Sequence, residues 1–206
     1  GGTAELDRAA LAEAPAVLAF GGETAVTSLA RASRPDARAV FHGSKVSVAY
    51  VGRGALSRAN LAGAARRLAL DVSLYDQQGC LSPHAVYAER KGAVTPVDFA
   101  AALGEALQDS ARELPRREPT PAEAASVQLY RSQARFAAAT FGFPPDLARE
   151  DPVPAPAPAP APERTVLASD SGTRWTVICD SGARFEPGPT HRTIRVHAIA
   201  GPEEFE

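Results

Sequence analysis

The chain has 206 residues, 45% of them hydrophobic, with 22 basic and 24 acidic side chains and a formal net charge of -2. This length is enough for one buried core, and the charges are scattered along the sequence, which argues against a nucleic-acid partner. The sequence has no apolar run of about 18 residues and no signal-peptide pattern, so we expect a cytoplasmic protein without a membrane span.

Two cysteines in unlike surroundings do not make a disulfide framework. The chain contains no methionine and begins with Gly1 and Gly2. From this we expect a piece of a longer protein.

The first half of the chain alternates helical and strand-like patterns. Leucine and alanine at helical spacing predict helices over 3–14 and 56–74, and a third that starts at Gly22. Short apolar runs predict strands over 15–20, 37–41, 45–51 and 85–90. This alternation predicts an α/β fold with a mostly parallel sheet flanked by helices.

The second half begins with two helices, predicted over 95–114 and from Thr120 to Gly142. Each opens with a threonine cap, a proline and an acidic residue, in Thr95-Pro96-Val97-Asp98 and Thr120-Pro121-Ala122-Glu123. Residues 152–162 alternate proline with alanine or valine, which predicts an extended linker, a docking site for a proline-binding module being the alternative.

Two further strands are predicted over 174–179 and 193–199. We therefore predict an α/β core at 1–150, a Pro/Ala-rich linker at 151–163 and returning strands of the same domain at 164–206.

Cys80 lies between a predicted helix and a predicted strand, in the segment Asp76-Gln77-Gln78-Gly79-Cys80-Leu81-Ser82-Pro83-His84. A turn suits a nucleophile, because Gly79 puts no Cβ in the path of a ligand and turn amides can stabilise an oxyanion. The alternative is a buried structural cysteine, the commoner state of a lone cysteine. Cys179, in a strand-like run, is expected to be of that kind.

The segment 77–83 resembles the catalytic-cysteine block of the fatty acyl-CoA reductases of bacterial bioluminescence, a branch of the aldehyde dehydrogenase superfamily. Three further blocks follow in the order of that family, namely Phe20-Gly21-Gly22-Glu23-Thr24, His42-Gly43-Ser44-Lys45-Val46-Ser47, and Phe185-Glu186-Pro187 with Arg192-Thr193-Ile194-Arg195-Val196. The resemblance implies an aldehyde dehydrogenase-like catalytic domain, with 1–150 as the catalytic core and a nucleotide-binding region ahead of the segment present here.

The resemblance also implies a function, the NADPH-dependent reduction of a fatty acyl-CoA to an aldehyde through an acyl-Cys80 intermediate. Turnover by this segment alone is expected to be weak or absent. Relatives that oxidise aldehydes carry a water-activating glutamate in the block that 40–45 resembles, and here Phe41 takes its place. That departure favours reduction of an acyl thioester, since water activation would destroy the intermediate.

Gln78, Gly79 and His84 complete the catalytic set predicted around Cys80. His84 either pairs with the thiolate or simply opens a strand. Gln77 and Gln78 either donate hydrogen bonds to an oxyanion or cap the preceding helix.

Gly21, Gly22 and Glu186 are the predicted cofactor-binding residues. The glycine pair lies between a strand and a helix, where amides can bind a dinucleotide's pyrophosphate, although a tight turn alone would also use two glycines. Glu23 replaces the small hydroxyl residue usual in the superfamily, and its carboxylate would repel phosphates unless it turns outward. Glu186 matches an acidic residue that contacts the nicotinamide ribose in the superfamily. We predict no metal site.

The predicted partners are a fatty acyl-CoA or acyl-enzyme donor and an acyl-transfer or synthetase protein, in an oligomeric enzyme. Two other functions stay open. One is a non-catalytic docking or oligomerisation domain for such a partner, which the reactivity of the Cys80 thiol would distinguish. The other is an aldehyde-oxidising dehydrogenase, which would form free acid from an aldehyde.

Overall fold

The chain divides after Val46 into two units, Gly1–Val46 and Ser47–Glu206. The computed structural model describes residues 4–43, 45–140 and 164–204. The predicted linker at 151–163 and the predicted helix end at Gly142 lie outside the described residues.

The first unit is a helix followed by a β-α-β repeat. Its elements are α1 (Ala4–Glu13), β1 (Ala16–Phe20), α2 (Glu23–Ala32) and β2 (Arg38–His42). The two strands pair in parallel, with Ala16 opposite Arg38 and Phe20 opposite His42. Parallel neighbours need a crossover connection, and α2 provides it.

The second unit is built on a five-stranded sheet in the spatial order β3-β4-β7-β6-β5. The strands are β3 (Ser47–Val51), β4 (Pro83–Glu89), β5 (Arg164–Ala168), β6 (Thr176–Asp180) and β7 (Thr193–Ile199). Every pairing is parallel except the antiparallel pair of β5 and β6. This confirms the predicted mostly parallel sheet, whereas β5 was not predicted.

Three helices accompany this sheet, α3 (Leu61–Ser73), α4 (Pro96–Glu113) and α5 (Pro121–Thr140). The predicted cap of α4 is present, since Thr95 Oγ1 accepts from the Asp98 amide at 3.1 Å and Asp98 Oδ2 accepts from the Thr95 amide at 3.2 Å. The predicted start of α3 at Leu56 is wrong, because the Leu56 amide donates to Arg53 O in a tight turn and the helix begins five residues later. Among the described residues, no helix is long and apolar enough to cross a membrane.

Helices α3 and α4 pack on one face of the sheet and form the main core. Phe99, Leu103 and Leu107 of α4 are fully buried there with Val86 and Val196 of the sheet. Each such side chain contributes about 1.5–3 kcal/mol by leaving water.

The opposite face of the sheet is more polar. Tyr87 and Ile199 form a small apolar cluster, but Arg195 and His197 are also buried on this side. Helix α5 reaches this face through Tyr130, whose hydroxyl accepts from Arg195 Nε at 3.2 Å. Helices therefore lie on both faces, as predicted.

Arg131 of α5 fixes the turn between β5 and β6. Its guanidinium is 3% exposed. It donates to Thr176 Oγ1 at 2.7 Å, Gly172 O at 2.8 Å and Trp175 O at 2.7 Å. These acceptors are neutral, and Arg131 forms no ion pair with any residue that the structure describes. The turn and the helix therefore depend on each other.

Replacing Arg131 by Met should lower the free energy of unfolding of the second unit by about 2–4 kcal/mol, because buried carbonyl and hydroxyl groups lose their donor. Urea unfolding followed by circular dichroism measures the change. Arg135→Met, at an exposed position on the next turn of α5, is the matched control and should be near neutral. Equal effects of the two substitutions would contradict this account.

Candidate active site

Cys80 occupies an exposed β-turn at the amino end of the parallel strands. The turn is closed by the Ser82 amide, which donates to Gly79 O at 3.0 Å, so Cys80 and Leu81 are its central residues. Ser47 at the start of β3 donates its hydroxyl to Cys80 O at 2.7 Å. The thiol is free and exposed. The predicted turn is confirmed, and a reagent in solution can reach the sulfur.

The backbone before this turn is left-handed over three consecutive residues. Tyr75, Asp76 and Gln77 have φ of 52°, 51° and 66°. This conformation costs about 1–2 kcal/mol for each residue with a Cβ. The run follows the extended residue Leu74, which ends α3. It must be held by other interactions, among them those of the Asp76 and Gln77 side chains.

The Gln77 side chain bridges the first residues of β4 and β7. Its Nε2 donates to Pro83 O at 2.8 Å and to Thr193 O at 3.0 Å, while Oε1 accepts from the Thr193 amide at 2.8 Å. The residue is 1% exposed. Both amide hydrogens are used, so this side chain has none left for an oxyanion, and its role in the structure is to position the turn.

Asp76 pairs with Arg192, which ends a second left-handed run. Oδ1 of Asp76 accepts from Arg192 Nη2 at 2.8 Å and Nε at 3.1 Å. Thr190, His191 and Arg192 have φ of 59°, 56° and 60°. Because the pair is largely buried, loss of either partner would leave an uncompensated charge. The two strained segments therefore stabilise each other.

Gln78 and Gly79 line a cavity of about 490 Å³ together with Tyr75, Asp76 and Arg117. Gln78 is exposed, and its backbone amide donates to Tyr75 O at 2.9 Å. A Cβ at Gly79 would lie 3.3 Å from Ser82 Oγ and 3.6 Å from Tyr75 Cδ2, so the glycine permits close packing of the turn. Gln78 and Gly79 are thus the two predicted catalytic residues that line this cavity.

His84 is the extra residue of a β-bulge at the start of β4. Ser47 pairs with Pro83 and Val48 with Ala85, which leaves His84 outside the register. A bulge redirects a side chain and is common beside functional sites. Burial lowers the pKa of His84, which favours the neutral imidazole at neutral pH and disfavours an imidazolium paired with the thiolate.

Exposed apolar side chains flank the cysteine. Leu81 is 85% exposed, Tyr75 82% and Leu74 42%. They are among the large apolar side chains that are exposed in the described part of the chain.

The predicted cofactor residues fall in both units. Glu186 is half-exposed and its carboxylate accepts a hydrogen bond from Arg195 Nη1. In the first unit the Gly21 amide donates to His42 O at 3.2 Å, and Gly22 is the N-cap of α2 without a side-chain cap. A Cβ at Gly22 would meet nothing within 4 Å, so the N-terminus of α2 is open at this point.

Glu23 lies in the first turn of α2 and reaches Gly43 at the end of β2. A Cβ at Gly43 would be 2.7 Å from its Oε2. Phe41 is half-buried in β2, opposite Ala19. No group of three His, Cys, Asp or Glu among the described residues could hold a metal ion.

Cys179 is confirmed as a core residue. It is 3% exposed and packs in the cluster beneath α3 and α4. Burial raises the pKa of its thiol to about 12. The two cysteines therefore differ sharply in access.

Sequence reasoning missed the roles of Asp76, Gln77 and Arg192. The sequence predicted Gln77 as a helix cap or an oxyanion donor. No local sequence signal indicates that it bonds to Thr193, 116 residues further along the chain. The only available signal was the block resemblance that joined 77–83 with 192–196 as parts of one pattern.

Solved structures that are similar to this chain include several aldehyde dehydrogenases. An NAD-dependent benzaldehyde dehydrogenase from Corynebacterium glutamicum superposes with a TM-score of 0.60 at 14% identity, covering 99% of this chain and 41% of that one. Substrate-bound AldH of Staphylococcus aureus gives 0.61 at 11% identity, covering 99% and 40%. An NADP-dependent glyceraldehyde-3-phosphate dehydrogenase from Bacillus halodurans, complexed with NADP, gives 0.56 at 13% identity, covering 92% and 36%.

The chain thus has an aldehyde dehydrogenase-like fold and spans about two fifths of the length of these neighbours. The model of the acyl-CoA reductase (LuxC) family matches residues 1–143, and the chain belongs to that family. No curated protein sequence matches it.

Iodoacetamide at pH 8 should alkylate Cys80 in the native chain and leave Cys179 unmodified. Cys80 is exposed, whereas only roughly one Cys179 thiol in ten thousand is ionised four pH units below its pKa. Peptide mass spectrometry of each cysteine measures the labelling. In denaturing urea both should react, which is the control. Equal labelling in the native chain, or none at Cys80, would contradict the assignment.

Gln77→Glu should lower the free energy of unfolding by about 3 kcal/mol, because a carboxylate cannot donate to the Pro83 and Thr193 carbonyls and would be buried against them. Urea unfolding measures the effect. The matched control is Gln78→Glu, whose exposed side chain should change stability by less than about 0.5 kcal/mol. A tolerated glutamate at position 77 would mean that its hydrogen bonds do not hold the turn.

Proposed function

We propose that the chain carries the acyl-transfer part of a reductase that converts a fatty acyl thioester, such as an acyl-CoA, into an aldehyde with NADPH. The observation that carries this proposal is the exposed Cys80 thiol on a β-turn at the amino end of a parallel sheet. Membership of the acyl-CoA reductase family supports it. The aldehyde dehydrogenase fold supports chemistry on an acyl or aldehyde carbon.

In the first step, Sγ of Cys80 attacks the thioester carbonyl carbon. A new carbon–sulfur bond forms to Cys80, the bond to the CoA sulfur breaks, and CoA leaves as a thiolate that takes up a proton. The neutral imidazole of His84 is the proposed acceptor for the Cys80 proton. Its lowered pKa favours the form that accepts a proton.

The oxyanion of this step requires hydrogen-bond donors. The hydrogen bond that closes the turn is donated by the Ser82 amide. The backbone amides of the two central residues, Cys80 and Leu81, take no part in that bond. We propose these amides as donors, with the exposed Gln78 amide group as a third. Gly79 then serves by keeping the turn closely packed.

The acyl chain needs an apolar surface. The exposed side chains of Leu74, Tyr75 and Leu81 flank Cys80 and supply one. Burying them against hydrocarbon gains about 25 cal/mol for each Å² removed from water. This supports a long-chain rather than a short polar acyl group.

The residues present fit part of a dinucleotide site. The N-terminus of α2 has unpaired amides and an open approach at Gly22, which suits a phosphate, although the Glu23 carboxylate in the same turn opposes one. We propose that Gly21 and Gly22 of the first unit form a turn that gives a phosphate access. As a separate proposal for the second unit, which rests on the family resemblance, Glu186, held by Arg195, contacts a nicotinamide ribose. A reduced nicotinamide dinucleotide, when bound, supplies the hydride that releases the acyl group of Cys80 as an aldehyde.

Phe41 supports reduction over hydrolysis. By the resemblance to aldehyde-oxidising relatives, this position is that of a water-activating glutamate, and phenylalanine cannot act as a base. Without the glutamate that activates water in those relatives, hydrolysis of an acyl-Cys80 is expected to be slower, so the intermediate lasts longer for reduction. The preference for NADPH rests on the same resemblance, and the structural neighbours include both an NAD-dependent and an NADP-dependent enzyme.

The second candidate function is aldehyde oxidation, favoured by the dehydrogenase names of the structural neighbours. Incubation with a long-chain aldehyde and NADP⁺, without CoA, distinguishes it, since free acid would then form at a useful rate. An acyl-enzyme donor, an acyl-transfer or synthetase partner and an oligomeric assembly are part of the proposal.

Cys80→Ala should abolish covalent labelling of the chain by radioactive long-chain acyl-CoA, because the nucleophile is lost. Cys179→Ala, at a buried cysteine, is the control and should label like the parent chain. Gel autoradiography and peptide mass spectrometry measure the label and its position. Persistent label in Cys80→Ala would refute the proposed nucleophile.

A further inference from the structure

A pocket rich in arginine lies behind the nucleophile turn. It has a volume of about 570 Å³ and is formed by the segment between α4 and α5, the turn between β5 and β6, and the residue before β7. We call it the arginine pocket, defined by Arg116, Arg117, Arg174 and Arg192 with Thr173 and Glu118. Four cations and one carboxylate line it, which is an unbalanced charge for a surface cavity.

Two of these arginines have a carboxylate partner and two do not. Arg117 pairs with Glu123, and Arg192 with Asp76. Arg116 donates only to neutral acceptors, Thr173 O at 2.7 Å, Thr173 Oγ1 at 3.0 Å and His191 O at 3.1 Å. Within the described part of the chain, Arg174 forms no ion pair. Among the described residues, Arg116 and Arg174 therefore have no carboxylate in ion-pair contact, and the pocket lining keeps an excess of positive charge.

Arg192 adds an unsatisfied donor. The residue is 2% exposed, and its Nη1 has no hydrogen-bond partner among the described residues. A buried cationic N–H without an acceptor is costly, so negative charge close to this guanidinium would be favourable. Since Arg192 lines the arginine pocket, an anion bound there is in reach of this residue.

The arginine pocket adjoins the cavity that Gln78 and Gly79 line. Arg117 lines both, the second with Gln78 and Gly79. Arg192 also lines a smaller cavity of about 270 Å³, which it shares with Tyr75 and Asp76 of the nucleophile segment. A single elongated molecule can thus have one end at the nucleophile turn and an anionic end among the arginines.

We propose that the arginine pocket binds a phosphate group of the acyl donor, namely a phosphate of the CoA moiety whose thioester reacts at Cys80. Guanidinium groups form paired hydrogen bonds with phosphate oxygens, and several of them select an ion of more than one negative charge. A CoA thioester joins its phosphates to the reactive carbonyl through a long flexible arm, which matches the adjoining cavities. This inference rests on the proposed function for the identity of the ligand.

Isothermal titration of the 206-residue chain carrying Cys80→Ala tests the site without chemistry at the sulfur. Free CoA should bind, 3′-dephospho-CoA and inorganic pyrophosphate should bind more weakly, and added salt should weaken all three. Arg174→Gln and Arg117→Gln should each reduce the affinity for CoA about tenfold, as expected for loss of one charge-assisted hydrogen bond. Both side chains are exposed, so neither substitution should prevent folding.

Arg112→Gln is the matched control. This exposed arginine of α4 pairs with Asp109 and lines a different cavity. Its variant should bind CoA like the parent chain. An equal loss in Arg112→Gln and Arg174→Gln would mean that only general positive charge attracts the ligand and would overturn the site.

Acyl labelling of the chain with intact Cys80 separates this inference from the proposed function. Labelling at Cys80 with CoA affinity unchanged by Arg174→Gln and Arg117→Gln would overturn the phosphate site and leave the function standing. Arginine-dependent CoA binding without labelling would leave the site standing and reject Cys80 as the acceptor. If the arginines were needed for binding of NADP⁺ but not of CoA, the pocket would belong to the nucleotide cofactor. That result would overturn the proposal that it binds a phosphate of the acyl donor.

Discussion

The hydrogen bonds of one buried side-chain amide, that of Gln77, fix the position of the turn that carries Cys80. This side-chain amide forms three hydrogen bonds of 2.8–3.0 Å to the first residues of β4 and β7. It thus joins the two strands in the way that a backbone peptide group would. Cys80 follows three residues later, so its exposed sulfur is carried by a segment whose base is buried in the sheet. The cost of three left-handed residues is offset by these contacts and by the Asp76 pair with Arg192. The Cys80 thiol is thus exposed, while the backbone that carries it is held in place by buried hydrogen bonds.

Arginine is used in two different ways in the second unit. Arg131 and Arg116 hold the turn between β5 and β6 through carbonyl and hydroxyl oxygens alone. Arg192 and Arg195 are paired with carboxylates. The first kind stabilises the fold while leaving its charge available at longer range, because neutral acceptors satisfy the hydrogen bonds without cancelling the charge. The electrostatic character of the arginine pocket follows from this use of neutral partners.

The sequence predicted the periodic parts of this structure and missed the parts that depend on distant contacts. Helix α4 was predictable at both ends, since its capping box and apolar spacing are local signals. Strand β5 was not, because five residues after a proline-rich run give little periodicity. The turn of Cys80 was predictable from its position between a helical and a strand-like run, whereas the exposure of its thiol was not. The bulge at His84 and the bridge from Gln77 to Thr193 depend on strand register, which a single sequence does not carry.

Trp175 is the only tryptophan of the chain. It lies in the second unit, where its indole Nε1 donates to Gln108 Oε1 at 2.9 Å and Arg174 of the arginine pocket precedes it. The tryptophan fluorescence of this chain therefore reports on the second unit, and the first unit contributes none of it. The wild-type protein thus contains an intrinsic spectroscopic reporter next to the turn that Arg116 and Arg131 hold.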